Sequence, residues 1–279
     1  MIPKIIHQTW KTKDLPSVFD FIYKHNIQSN TNFNFNLWTD DNTGNNIDDF
    51  IKINYPRIYN VYSNIKLGVQ KSDIARLTIL HYYGGIYIDL DILLLKSLDN
   101  LFDYNKDLLY ISYEPTEQTT YLWNKDNYIC NAFFACSPKN IIIEDILNNI
   151  VMIYENFGNQ IYNKFNVFGS SIFSITINLP KFKNNFEIID THKIYPINDI
   201  KLDSLSCSYD DFQKLKFGTY DNSYMVHYWI HSNFESKKLL YNFKFDVNLS
   251  IHTNIYLFFK LLYPNNKNIL LDNNYITKY

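Results

Sequence analysis

Two aspartates, Asp89 and Asp91, interrupt the apolar run GGIYIDLDILLL, Gly84 to Leu95. Read as one strand, the run puts both carboxylates on the same face, because side chains two apart on a strand share a face. Like charges held that close repel, and burying either without a partner is unfavourable. A hard divalent cation, Mn²⁺ or Mg²⁺, resolves both problems. Two carboxylates at a strand end can hold it and leave positions for phosphate oxygens. The same cation would neutralise charge on a leaving diphosphate, which is Lewis-acid assistance to group transfer. Asp-x-Asp alone is equally the composition of a solvated turn, so its surroundings decide its meaning.

Those surroundings read SDIARLTILHYYGGIYIDLD. Residues 66–83 carry Ile74, Leu77 and Leu80 three apart, the spacing of a buried helix face, and stop at Gly84 and Gly85. Asp73 and Arg76, also three apart, project from one face of that helix and can pair. A lone surface pair of this kind contributes little. Helix, double glycine and strand, however, gather Asp73, Arg76, Tyr87, Asp89 and Asp91 at one end of a compact unit.

The elements that must position this unit follow from patterning. A short apolar segment, KIIHQTW, reads as an early buried strand, SVFDFIYKHNI as a helix, FNFNLWTD as a half-buried strand and IDDFIKINY as a helix. Strands are expected at 86–95, 108–113, 128–136, 186–189 and 224–229, and helices at 140–156 and 170–178. Alternation of helix and strand argues for an α/β class with a largely parallel sheet. In such sheets ligands bind at the carboxyl ends of the strands. Neither repeats nor linker-like stretches break the chain, so residues 1–279 read as a single domain.

Composition narrows the classes. With 46% hydrophobic residues the chain can build a sizeable core. The formal charge of −2 gives no basic field for nucleic acid. Abundant Asn, Ile, Lys and Tyr suit an AT-rich genome of a low-GC bacterium or a large DNA virus, and with it a cytoplasmic location, the host's for a viral protein. Three cysteines, Cys130, Cys136 and Cys207, have no finger spacing and favour a reducing compartment. The opening MIPKIIHQTW lacks signal-peptide character, and NIYLFFKLLYP, broken by Lys260, is too short to span a bilayer. A soluble protein without a transmembrane segment is expected; its oligomeric state is left open.

Asp73, Arg76, Leu80, Gly84, Gly85, Tyr87, Asp89 and Asp91 match the pattern D-x-x-R-x-x-x-L-x-x-x-G-G-x-Y-x-D-x-D. By these residues the chain resembles glycosyltransferase family 32, the DXD sugar-binding enzymes, which include mannosyl-, galactosyl- and N-acetylglucosaminyltransferases. Clostridial glucosylating toxins share the core. The opening IPKIIHQTWK and the segment NLWTDDN are similar to the family's first two strands. The resemblance covers residues 1–140, the nucleotide-sugar core, and fades over 141–279, the expected acceptor side and C-terminal helical part.

The resemblance implies a GT-A fold and a retaining, metal-dependent transfer from a nucleotide-diphosphate sugar to a glycan or protein acceptor. It implies a nucleoside pocket lined by His7, Thr9 and Trp10. Asp73 and Arg76 would bind sugar hydroxyls, and Tyr87 would lie near the nucleotide. Asp89 would touch ribose, sugar and metal, Asp91 would ligate the metal, and Asn131 would sit beside the anomeric carbon. The late segment VHYWIHSNF looks like the family's H-x-W-x-x-S-W, with Asn233 where Trp is usual. It offers His227 as third metal ligand and Trp229 and Ser232 to the donor. His231, four residues past His227, could imitate a zinc pair, but no further ligand has suitable spacing. Where the family often has Gly-Pro before its late helix, Gly169 is followed by Ser170. UDP is the nucleotide expected. The alternatives are a GDP-mannose-dependent mannosyltransferase and a non-catalytic sugar-nucleotide-binding protein. A retaining glycoside hydrolase would instead need carboxyls roughly 5 Å apart flanking a bond, usually from separate strand ends.

Overall fold

The computed structural model describes residues 1–41, 45–158, 168–199, 222–230, 237–246 and 248–262. Among these, the chain opens with β1 (Ile5–Trp10), α1 (Ser17–Ser29), β2 (Asn34–Thr39), β3 (Asn45–Asn46), α2 (Ile47–Asn54) and α3 (Pro56–Tyr62). The central helix α4 (Gly68–Tyr83) leads into β4 (Gly85–Ile88) and β5 (Ile92–Leu94). Then come β6 (Leu109–Ser112), α5 (Thr116–Trp123), β7 (Phe133–Cys136), α6 (Ile141–Phe157) and α7 (Ser170–Ile177). β8 (Phe186–Ile189), α8 (Thr191–Ile194), β9 (Met225–His227), α9 (Lys237–Asn242) and α10 (Ile251–Leu262) complete the described order.

The main sheet has seven strands in the order β3-β2-β1-β4-β7-β6-β8. Every pairing is parallel except the two made by β7, which runs antiparallel to β4 and to β6. This is the α/β class expected, a mixed and mostly parallel sheet flanked by helices. The carboxyl ends of β1, β4 and β6 and the amino end of β7 therefore share one edge.

Period-two alternation sets the two faces. Tyr87, Leu109, Ile111, Phe134 and Cys136 point to the helical side, packing with α2, α3, α4, α6 and α7. Ile86, Ile88, Tyr110, Phe133 and Ala135 point the other way, onto Ile92, Leu94, Leu98 and Met225. Each such Ile, Leu or Phe side chain, fully buried, contributes about 1.5–3 kcal/mol. Beyond that second face lies a small sheet, β5 antiparallel to β9, with His227 opposite Ile92. Its partners are Val18, Phe19 and Ile22 of α1 and Ile255, Phe258 and Phe259 of α10. The spacing of the α10 trio is that of one helix face, so the late apolar run is a packed core helix. No helix among the described residues is long and apolar enough to cross a membrane. The buried amide of Asn26 ties α1 to β5, donating to Ile92 O at 2.8 Å and accepting from Leu94 N at 2.8 Å.

The double glycine is more than a helix stop. Gly84 has φ +64° and Gly85 φ +98°, both in the left-handed region. A Cβ on Gly84 would lie 2.6 Å from Pro138 Cδ, and one on Gly85 2.6 Å from the Ile5 carbonyl oxygen. The turn out of α4 and the close approach of β4 to β1 both depend on the missing side chains.

Two readings of strand extent change. The expected strand 86–95 is two strands in different sheets. β4 ends at Ile88, a turn at Leu90 and Asp91 follows, closed by Ile92 N to Asp89 O at 3.1 Å, and β5 joins β9. Asp89 and Asp91 thus flank a sheet change rather than sharing one strand's face. The expected strand 128–136 is regular only from Phe133, because the side chain and carbonyl of Asn131 are engaged by α4.

Candidate functional site

A cleft of about 590 Å³ runs along the shared strand edge. β1 contributes Thr9 and Trp10, the end of β4 contributes Asp89, and the lead-in to β7 contributes Asn131. Arg76 reaches the cleft from α4, and Asp91, His227 and Trp229 reach it from the small sheet.

Asp89, Asp91 and His227 converge, with one ligating atom from each within 4.8 Å of the others. The topology explains it. β9 pairs with β5 so that His227 sits opposite Ile92, one residue from Asp91. His227 Nε2 lies 3.1 Å from Asp91 Oδ1. Asp91 Oδ2 accepts the Ile230 N–H at 2.7 Å, and its carbonyl accepts the Tyr228 N–H at 3.1 Å. Trp229, with φ +54°, makes the kink between those two donors. Burial pushes the Asp91 carboxyl up, but His227 and the Ile230 N–H outweigh it and hold it below its ordinary value. Burial pulls the His227 imidazole down, and Asp91 overrides that to raise it well above 6.5. Two carboxylates and an imidazole with converging atoms fit a hard divalent cation of the Mn²⁺ or Mg²⁺ type.

Arg76 is the second hub, 6% exposed at the floor of the cleft. Its guanidinium lies 3.3 Å from Asp89 Oδ1 and 3.7 Å from Asp73 Oδ1. It also donates to the Asn131 carbonyl and, at 3.0 Å, to Ser72 Oγ. It lies over the Tyr87 ring, 4.8 Å from its centroid, an attractive cation–π geometry. Asn131 Nδ2 donates to Asp73 Oδ1 at 2.7 Å. Gly169, at the start of α7, leaves room for that pair, since a Cβ there would lie 2.9 Å from Asn131 Nδ2 and 3.0 Å from Asp73 Oδ2. Stacking of Phe134 on Phe173, centroids 4.5 Å apart, holds α7 in place. Burial pushes the Asp73 carboxyl up to about 6, against the pull of Arg76. Asp89 is pushed up too, by burial first, although its side chain is 29% exposed and faces the cleft.

Hydroxyls link the hubs. Tyr87 donates to Asp89 Oδ1 at 2.8 Å, and Thr9 Oγ1 lies 3.0 Å from the Tyr87 hydroxyl and 3.4 Å from Ser72 Oγ. Burial raises the Tyr87 phenol far above its ordinary value, so it stays a donor. Trp10 lines the cleft and packs edge-on against Phe19 at 5.0 Å. Trp229 packs 4.1 Å from the His227 ring and donates its indole N–H to Ile197 O at 3.0 Å.

His7 departs from the expectation of a nucleoside-pocket residue. It is fully buried and does not line the cleft: Trp38 Nε1 donates to its Nδ1 at 3.1 Å, and its Nε2 meets Gly84 O at 3.0 Å. Burial lowers its pKa to about 4, so it is a neutral ring that ties β1 to β2 and to the α4–β4 turn. Ser232, His231 and Asn233 lie outside the described residues. Sequence reasoning passed over Ser72 and Glu114, both lining the cleft. Glu114 had a signal: a carboxylate just beyond an apolar strand, at the edge where ligands bind.

Residues 16–108 match the family described as the glycosyltransferase sugar-binding region containing the DXD motif. Inositol phosphoceramide mannosyltransferase 3 of Schizosaccharomyces pombe is 38% identical over 103 residues, 37% of this chain and 28% of the relative. The chain therefore spans under a third of that relative's length. An uncharacterised glycosyltransferase of Acanthamoeba polyphaga mimivirus is 28% identical over 203 residues, 71% of this chain and 74% of the other. Among solved structures, the PaToxG glycosyltransferase is similar at 20% identity and a TM-score of 0.49, covering 63% of this chain and 69% of that one. The region that holds Asp73, Arg76, Asp89 and Asp91 is the part of the chain that is similar to the DXD-containing glycosyltransferases.

Proposed function

We propose that the protein is a metal-dependent retaining glycosyltransferase, one domain over residues 1–279, that moves a hexosyl or N-acetylhexosaminyl group from a nucleotide-diphosphate sugar to a glycan or protein acceptor. One observation carries the reading: the Asp89, Asp91 and His227 ligand atoms converge in the same cleft as Arg76 and Asn131, both of which the buried Asp73 contacts. A hydrolase needs two carboxyls flanking a bond. Here Asp89 and Asp91 instead turn toward an imidazole and an arginine.

In this reading Asp89, Asp91 and His227 hold Mn²⁺ or Mg²⁺, which when bound supplies Lewis-acid neutralisation of the leaving diphosphate. Arg76 and Asp73 bind the donor sugar's hydroxyls, and Asn131, oriented by Asp73, lies beside the anomeric carbon. Tyr87 and Arg76 both engage Asp89 Oδ1, which orients the carboxylate and leaves its second oxygen for ligand. Thr9, Trp10 and Trp229 complete the donor pocket, the nucleoside lying on the Trp10 side. His7 acts through the fold, not by contact with the donor. Attack on the front face, with electrostatic stabilisation of the departing charge, accounts for retention without a carboxylate nucleophile.

Mannose is the first sugar to test, because the yeast relative is named as a mannosyltransferase. The test is incubation with Mn²⁺ and, in turn, GDP-mannose, UDP-glucose, UDP-galactose and UDP-N-acetylglucosamine, scored for free sugar. Metal-dependent release from one donor is expected. Tight binding of a nucleotide sugar with no turnover of any would favour a non-catalytic binding protein and overturn the reading.

A further inference from the structure

The cleft has a second acidic pole. Glu114 lies just past the carboxyl end of β6 and is 9% exposed, yet it lines the cleft. The strand order runs β2, β1, β4, β7, β6. Trp10 and Asp40, at the ends of β1 and β2, are therefore on one flank of the Asp89 position, and Glu114 is on the other. With the nucleoside on the Trp10 side, Glu114 lies beyond the donor sugar.

Its surroundings do not account for a carboxyl. The Glu114 backbone N–H donates to Tyr128 O at 2.9 Å. Among the described residues, the carboxylate has one hydrogen bond, from Gln118 Nε2 to Oε2 at 3.2 Å. Gln118 is fixed in that sense, since its Oε1 accepts the Asp199 N–H at 2.8 Å and its amide nitrogen must face Glu114. No Lys or Arg among the described residues pairs with Glu114. His227 is the one charge whose attraction opposes the burial of Glu114, and a buried carboxyl without an ion pair is unfavourable; a glutamine would fill the place at lower cost. Burial pushes the carboxyl up to about 7, the mark of a group held in a poorly solvated site. What such a group lacks is a hydrogen-bond donor arriving through the cleft.

We propose that Glu114 is the acceptor-binding carboxyl of this site: it accepts a hydrogen bond from a sugar hydroxyl of the acceptor and holds the acceptor at the sugar end of the cleft. The inference rests on the transferase reading above. The role is one of binding. The bond from the anomeric carbon to the diphosphate oxygen breaks, the bond to the acceptor oxygen forms, and the acceptor's proton leaves on the diphosphate. Glu114 ends the cycle in the state in which it began.

The test separates transfer from hydrolysis. Wild type, Glu114→Gln and Glu114→Ala are given Mn²⁺, the donor that wild type hydrolyses fastest, and methyl glycosides of mannose, glucose and galactose as probe acceptors. Free sugar and glycosylated methyl glycoside are measured separately. The transfer-to-hydrolysis ratio is expected to fall about ten-fold or more in Glu114→Ala, the scale of one lost hydrogen bond to a charged group. It should fall less in Glu114→Gln, which keeps an acceptor oxygen, while KM for the donor is unchanged in both. Glu114→Gln keeps the side chain's size, so it carries the test if the alanine variant does not fold. An unchanged ratio overturns the proposal. So does an equal loss of hydrolysis and transfer together with a lower melting temperature, or a wild type that hydrolyses donor but glycosylates none of the probes. A wild type that turns over no donor defeats the transferase reading itself, a distinct result.

Discussion

His227 Nε2 faces Asp91 Oδ1 at 3.1 Å: His227 ends β9, and Asp91 immediately precedes β5, the strand paired with it in the small sheet. Both are buried. Without a cation, a proton on the imidazole is the counter-charge of Asp91. Were a cation held here, the His227 nitrogen and the Asp91 oxygen would be among its ligands and the imidazole proton would be released. We expect His227→Ala to weaken Mn²⁺ binding at least about ten-fold, the order seen when a group supporting a metal site is lost. The metal-free variant should also be less stable, by about 3–5 kcal/mol at most, because Asp91 is left buried without its partner. Calorimetric titration with Mn²⁺ and a chemical denaturation curve check both. Unaltered Mn²⁺ affinity would remove His227 from the metal site.

Arg76→Lys should be damaging in two ways. The guanidinium serves Asp89, Asp73, the Asn131 carbonyl and Ser72 at once, and an ammonium cannot reproduce that fork. Loss of one charge-assisted bond is worth about 1.5–3 kcal/mol. We expect kcat/KM for donor hydrolysis to fall about ten-fold or more, with a measurable drop in melting temperature. Normal turnover by the folded variant would mean that Arg76 only braces the fold.

Gly169→Ala tests the Asp73 and Asn131 pair without touching a charge. The added methyl would press on Asn131 Nδ2 and Asp73 Oδ2 at 2.9 and 3.0 Å, so both side chains must shift by tenths of an ångström. Turnover should fall several-fold while the melting temperature moves little, since the contact is with side-chain ends at the cleft. Full activity would show that the pair's position is not critical.

Two buried histidines, His7 and His252, should each contribute stability that acid removes. Burial lowers the pKa of His7 and of His252 to about 4 each. Both rings stay neutral in the folded state, while the unfolded chain takes up protons below about 6.5. At these two sites the unfolded state thus binds more protons between those values, so their contribution to stability falls as pH drops from about 6.5 toward 4, while Asp73 and Glu114, raised to about 6 and about 7, contribute in the opposite sense. The slope of unfolding free energy against pH over that window should be less positive in His252→Asn than in wild type, the ring contacting Tyr228 away from the cleft. An unchanged slope would mean that His252 does not contribute.

Local patterns were legible and non-local ones were not. The spacing from Asp73 to Asp91 is written in one helix, one turn and one strand, so residue types and period sufficed. The sheet change between Asp89 and Asp91 was hidden, because a strand period cannot show that β5 pairs with β9 instead of continuing β4. His7 shares its face of β1 with Thr9, yet Trp38 and the Gly84 carbonyl close around it, and neither contact is local. The short helices α3 and α5 were not read, being a few turns at most with no capping side chain. Glu114 was visible as a residue, but its burial with Gln118 as its hydrogen-bond donor appears only once Gln118 and Asp199 are in place.

The most direct test of the central claim is one set of melting curves. Wild type and Asp91→Asn are melted alone, with Mn²⁺, and with Mn²⁺ plus UDP or GDP. Ligand at about a hundred times its Kd stabilises a protein by about 2.7 kcal/mol, a rise of several degrees for a chain of this size. The wild type should show that rise with Mn²⁺ and one of the nucleotides together. Asp91→Asn should melt cooperatively and show no such rise. The same metal- and nucleotide-dependent rise in both proteins would place the cation elsewhere and contradict the assignment of this cleft.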